Sequence, residues 1–192
     1  DYYNLKIHIK FCKKIPLRNL NYYLSVLLTK EKSLGVLTEK EAKYLLIKHP
    51  KTTIYYLPKI HKNKEKPPGR PIVSGINSLF ARVGEYVDTF LKNIVMTNRA
   101  FLRDGGHLIN ILKELHNVDN CMLVTIDVES LYTNIDQNDG INAVKWALKH
   151  KSLLKRSQRK FVVELLEFAM NNNFFWYNNT FFQQCKGCCH GS

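Results

Sequence analysis

Acidic side chains are scarce in this sequence. Its 192 residues carry 16 Asp and Glu against 29 Lys and Arg, a formal net charge of +13. So large an excess over a whole domain points to a polyanionic partner, because each cation set on a phosphate releases a counterion. A membrane surface is the competing anion, but no basic amphipathic helix stands out. Long apolar runs are missing too: none approaches the roughly 18–20 residues of a membrane span. The opening "DYYNLKIHIK" is polar and mixed, unlike a secretory leader. No methionine precedes Met96, so the chain reads as a piece of something longer. Cysteine is sparse and odd in number, at Cys12, Cys121, Cys185, Cys188 and Cys189. Secreted disulfide frameworks are shorter and denser in cysteine, so a reducing, intracellular compartment is expected. There are no repeats, and the only biased segment is short and basic.

What is present is an alternation of helical and strand patterns. Residues 1–36 give weak signals. In "LTEKEAKYLLIKHP" Thr38 and Glu41 have capping-box spacing and Pro50 punctuates the end, which predicts a helix. "TTIYYL", Thr52 to Leu57, is β-branched and aromatic, hence a strand, and "IVSG" resumes one after a loop. Val83, Tyr86, Val87, Phe90, Leu91 and Ile94 recur at helical spacing, as do Leu108, Ile111, Leu112 and Leu115. The apolar run Cys121 to Ile126 predicts a strand; helices follow around Ile141 to Leu148 and Phe161 to Ala169. "FFWYNNTFFQQ" is two aromatic runs joined by Asn178-Asn179, a hairpin whose phenylalanines are core rather than base-stacking groups. The expected class is α/β or α+β, with helices on one face of a sheet.

Two features suggest chemistry. Lys59, Lys62, Lys64, Lys66 and Arg70 crowd a loop between two strands, against the single Glu65. Such a loop can fold over a triphosphate or a nucleic-acid backbone, or it can be a solvated hairpin tip. Pro67, Pro68 and Pro71 restrict it and place Arg70 at the start of a strand. The second feature is "LVTID": an apolar run ending on Asp127. Ligands sit beyond the carboxyl ends of strands in open sheets, so an aspartate there suits a metal or phosphate. A turn or helix-cap residue is the plainer account. Three classes remain open: a nucleotidyl-transfer palm, an aspartyl-phosphate phosphatase and a non-catalytic basic binding module. "DVESL" lacks the second aspartate and the Thr or Val of the phosphatase motif.

The succession "YYLPKIHKNKEKPPGRPIVSGINSLFARVGEYVDTFL", "FLRDGGHLINIL", "LVTIDVESLYTNI" and "FFQQCKGCCHGS" resembles the reverse transcriptase of Penelope-like retroelements over about Thr38 to Ser192. The resemblance implies a partial right-hand polymerase fold, with an N-terminal helical region at 1–50, fingers at 51–117 and the first half of a ferredoxin-like palm at 118–192. It makes Asp127 the metal-binding catalytic aspartate, with the Val128 carbonyl helping to hold the ion, and Tyr132 the steric gate against a 2′-hydroxyl. Arg70 becomes the contact to the incoming triphosphate, assisted by Lys59 or Lys62. Gln184, Gly187 and Gly191 fall in the glycine motif beside the nascent pair and template.

The chain departs from the family at Asp136, where Pro is usual, and at Cys189 and His190, where a small residue and Met are usual. No Asp-Asp pair occurs, so the second carboxylate motif is not among these residues. The implied parent reaction is RNA-templated DNA synthesis on a DNA primer from deoxynucleotides, in an intracellular, nuclear setting. Two Mg²⁺ would stabilise the charge developing at the α-phosphate. With Asp127 alone, this chain is expected to be inactive by itself, the alternative being a relic that only binds nucleic acid. "CKGCCH" invites a zinc reading, but Cys185, Cys188, Cys189 and His190 lie within six residues with no second half-site. Cys189 also interrupts haem-attachment spacing, which leaves a drifted glycine motif as the favoured account.

Overall fold

A computed structural model describes residues 9–12, 17–47, 52–60, 63–67, 69–116, 121–128 and 131–187. In chain order its elements are β1 (Ile9–Cys12), α1 (Leu17–Ser33), α2 (Glu39–Leu45), β2 (Ile54–Pro58), β3 (Gly69–Val73), α3 (Ala81–Met96) and α4 (Gly105–Lys113). Then come α5 (Leu131–Asn134), α6 (Gln137–Lys151), α7 (Arg156–Asn171), β4 (Phe174–Tyr177) and β5 (Thr180–Gln184). The class is α+β, with α1, α2, α3, α6 and α7 sharing one core, α4 and α5 outside it, and the strands in two small antiparallel sheets. No helix among the described residues is long and apolar enough to cross a membrane.

The core follows from helical periodicity. α1 contributes Leu24, Leu27 and Leu28, α3 contributes Val83, Val87 and Ile94, and α7 contributes Phe161, Val162, Leu165 and Phe168. Leu148 of α6, Leu45 of α2 and the loop residues Leu37, Leu79 and Phe80 close the cluster. Each such side chain contributes about 1.5–3 kcal/mol by leaving water. α2 starts where its capping box predicts: the Thr38 N–H donates to Glu41 Oε2 at 2.8 Å and the Glu41 N–H donates to Thr38 Oγ1 at 3.3 Å. It stops at Leu45, earlier than the pattern up to Pro50 suggests, and Pro50 lies outside the described residues. α6 starts at Asp136, whose side chain accepts from the Asn138 and Asp139 N–H groups at 2.9 and 3.1 Å.

The first sheet has the order β1-β5-β4 and the second pairs β2 with β3. The predicted hairpin is β4–β5, and both turn residues have positive φ, Asn178 at 45° and Asn179 at 57°. Asparagine tolerates that left-handed backbone, which matches the twist of the flanking strands. The Trp176 N–H donates to the Thr52 carbonyl at 3.0 Å, and a parallel bridge between Thr53 and Trp176 joins the two sheets.

Three expectations need correction. The apolar run Cys121 to Ile126 is not a strand: residues 121–128 carry no regular structure, and Leu123 and Ile126 are 83% and 90% exposed. A strand is a paired object, and none of the described strands lies beside this segment to supply its ladder. Second, the loop ends sooner than drawn, because Gly69, Arg70 and Pro71 belong to β3, paired with Pro58, Leu57 and Tyr56. Third, the main core is helix on helix, and the buried strand residues Ile72, Val73 and Phe175 lie outside that cluster.

Candidate functional site

The sequence-predicted residues fall into three groups. The first is the β2–β3 hairpin. Arg70 sits on β3 opposite Leu57, and half-buried Lys59 follows β2 directly. Lys62 lies outside the described residues. Gly69 packs closely on Tyr56: a Cβ there would meet the Tyr56 ring at 3.1 Å, and that ring would have to shift by a few tenths of an ångström to admit a larger residue.

The second group surrounds Asp127. The carboxylate is exposed, and its Oδ1 accepts the N–H of Val128, its own neighbour, at 2.9 Å. Val128 is exposed as well, 59% by area. Tyr132 lies on the short α5, half open to solvent. Asp136 and Asp139, the nearest spacing to an Asp-Asp pair in the sequence, belong to the start of α6, and Asp136 is taken up as its cap. No group of three or more His, Cys, Asp or Glu side chains that could hold a metal occurs among the described residues. Magnesium takes one or two carboxylates plus substrate phosphates, and a two-ion site needs carboxylates for both ions. Asp127, exposed and with no second carboxylate placed beside it among the described residues, does not fit a closed pair of ions.

The third group is the glycine motif. Gly187 has φ +80°, a left-handed conformation that glycine adopts without steric cost. Gln184 is buried at 2% exposure. Its Oε1 accepts from Asn173 Nδ2 at 2.7 Å, while its Nε2 donates to the Lys186 carbonyl at 2.9 Å. Both ends of the amide therefore hold the turn that presents Gly187. Gly191, like Cys188, Cys189 and His190, lies outside the described residues, and Cys185 is a free, exposed thiol.

The structure joins the third group to the segment between α5 and α6, and no hydrogen bond among the described residues carries Asp127 to it. The Gly187 N–H donates to the carbonyl of Ile135 at 2.8 Å, just past α5. Gln137, at the start of α6, donates from Nε2 to the Gly187 carbonyl at 3.0 Å. Residues about fifty positions apart thus share one junction, which lies just after α5, the helix that carries Tyr132. No contact links the β2–β3 hairpin to that junction among the hydrogen bonds of the described residues. Asn173, Gln137 and Asp136 are the positioning residues that sequence reasoning missed. Asp136 was findable, since an aspartate opening an amphipathic stretch is a standard helix start.

One more shifted group lies nearby in the chain. The His107 backbone N–H, which donates to Asp104 at 2.8 Å, holds the Asp104 carboxyl below its ordinary range, with Arg103 assisting. Asp104 is the cap of α4, so the "RDGGH" segment serves to start a helix.

No family model, curated protein or solved structure matches this chain.

Proposed function

We propose that this chain is the fingers and first palm portion of an RNA-directed DNA polymerase of the Penelope-like retroelement type, one that binds primed template but does not extend it alone. The observation that carries the reading is the junction between the Ile135 carbonyl and the Gly187 N–H at 2.8 Å. The resemblance assigns Tyr132 and the glycine motif to the same nucleotide, and these two segments are distant in sequence yet adjoin here. The net charge of +13 supports a nucleic-acid partner, and the Arg70 hairpin supplies a guanidinium suited to a triphosphate. Incompleteness follows from Asp127: phosphoryl transfer relies on positioning and electrostatic stabilisation, and one exposed carboxylate supplies little of either.

Primer extension on a primed RNA template with Mg²⁺ or Mn²⁺, run beside filter binding across a salt series, tests the proposal. Retention of the template that weakens steeply with salt, without Asp127-dependent product, is the expected result. Robust product lost on Asp127→Ala would overturn the incompleteness, and no retention even at low salt would overturn the nucleic-acid reading altogether. The second reading, a basic relic that only binds nucleic acid, rests on the same charge. It predicts that Arg70→Ala and Tyr132→Ala leave the effect of added deoxynucleotide on primed-template retention unchanged, because there would be none.

A further inference from the structure

A second basic surface lies in the helical body, built from residues that the polymerase reading does not use. α1, α6 and α7 enclose an open cleft of about 810 Å³. Lys145 and Lys149 line one wall from α6, Arg156, Arg159 and Lys160 line the other from α7, and Lys30 adds a cation from α1. Against them stand Glu164 and Glu167. Both carboxylates already have partners: Glu167 pairs with Lys145 at 2.6 Å, and Glu164 accepts from the Tyr23 hydroxyl at 3.5 Å. Arg159 donates to the Lys149 carbonyl at 3.1 Å, and Lys30 pairs with Glu31 at 3.3 Å. Lys149, Arg156 and Lys160 are exposed and have no carboxylate partner among the described residues.

Part of this charge sits where the helix itself disfavours it. Lys155, Arg156, Arg159 and Lys160 open α7, whose first turn carries no acidic residue. A helix start has a partial positive charge, so cations there repel the dipole as well as each other. Aromatic faces accompany the cations. Tyr23 forms part of the cleft lining and is about half exposed. Trp146, one residue from Lys145 on α6, is 56% exposed, with His150 against its ring and the Lys151 ammonium 5.6 Å from its centroid. The Tyr23 ring is already packed on Phe168, 5.1 Å between centroids, so the exposed part of Trp146, beside the groove rather than in its lining, is the aromatic surface left for a base. Cations beside such a ring suit single strands, whose unpaired bases can stack while their phosphates meet the cations. A duplex keeps its bases paired and would leave that ring unused.

We propose that the α1–α6–α7 cleft binds single-stranded RNA, with Lys149, Arg156 and Lys160 on the phosphates and Trp146 as a stacking platform. This site is separate from the Ile135–Gly187 junction, and its test uses no primer or deoxynucleotide and reads variants of the cleft alone, so it stands or falls apart from the polymerase reading. The probe is a fluorescent oligouridylate about 15 nucleotides long, titrated by anisotropy over a salt series. Reversing Lys149→Glu, Arg156→Glu and Lys160→Glu together is expected to weaken binding at least thirtyfold at low salt. The log–log salt slope should fall by roughly 2, at about 0.7 per phosphate contact. The melting temperature of this variant should stay within a few degrees of the parent, because Arg156→Glu suits the start of α7 while Lys149→Glu opposes the last turn of α6, and this separates lost binding from lost folding. Trp146→Ala should weaken binding roughly tenfold with the salt slope unchanged. A control reversing the exposed Lys40, Lys92 and Lys113 measures the effect of net charge alone. The proposal is overturned if the cleft variant loses no more affinity than this control. It is also overturned if Trp146→Ala has no effect and a duplex of equal length binds as well as the single strand. Loss of binding to phosphatidylserine vesicles with RNA affinity intact would overturn it in favour of a membrane surface.

Discussion

Single side chains do most of their work here by holding turns and helix ends in place. Tyr86 is the clearest case with a measurable consequence. Burial first, then the charge and hydrogen bond of Glu41, push its phenol from the ordinary 10.0 up to about 12. Glu41 is also the capping-box residue of α2, so this contact ties the start of α2 to the middle of α3. The folded state holds the Tyr86 proton more tightly than the unfolded chain does. The stabilisation is therefore complete below pH 10 and is lost as the pH rises through about 12. Tyr86 is half-buried, and solvent screening reduces the effect to about 1 kcal/mol. Tyr86→Phe, which cannot ionise, should be less stable than the parent by about that amount at pH 9, and the gap should close towards pH 12. Urea unfolding at a series of pH values checks this; a gap that stays constant across the range would mean that Tyr86 does not carry the effect.

Elements differ in how far a local pattern can specify them. α3, α6 and α7 were legible because their apolar residues keep helical spacing and their ends have few competing signals. The β4–β5 hairpin was legible from its two asparagines. α1 was hidden, since Tyr22, Tyr23 and Val26 are exposed and blur the stripe made by Leu24, Leu27 and Leu28. β1 was hidden for a different reason: its partner is β5, at the other end of the chain, and pairing at that distance leaves no local trace. The run before Asp127 shows the reverse error, a strand propensity with no strand beside it. Of the candidate site, the pattern gave residue types and order; that Gln184 is buried and Gly187 meets Ile135 needed the tertiary contacts. Because Leu123 and Ile126 touch solvent over most of their surface, the double change Leu123→Lys with Ile126→Lys should cost less than about 0.5 kcal/mol. Binding of a hydrophobic dye should fall at the same time. A loss of several kcal/mol in urea unfolding would show that these side chains are buried in solution, as a paired strand would require.

At the scale of the whole molecule, charge sets two opposing effects of salt on stability. The described residues make few ion pairs, including Lys32–Glu39 at 2.8 Å, Lys43–Glu39 at 3.6 Å and Arg103–Asp104 at 2.8 Å. These are exposed, each worth about 0–1 kcal/mol, and salt weakens them. Opposing them is the repulsion among charges that sum to +13. Confining that charge to the folded volume rather than the larger unfolded coil costs more at low salt than at physiological salt. The difference is on the order of 3 kcal/mol for a chain of this size, with a Debye length shrinking from about 30 to 8 Å. Repulsion outweighs the ion pairs, so the melting temperature should rise between about 10 mM and 0.15 M sodium chloride, by several degrees for a domain of this length. The cleft variant, with three cations replaced by glutamates, has a net charge of +7 (13 minus 6) and should show a much shallower rise. Calorimetric scans of the two proteins over the same salt series test this directly. A parent melting temperature that falls with salt would mean that local ion pairs outweigh the net charge, and it would remove the electrostatic reason for assigning the basic surfaces to a polyanion.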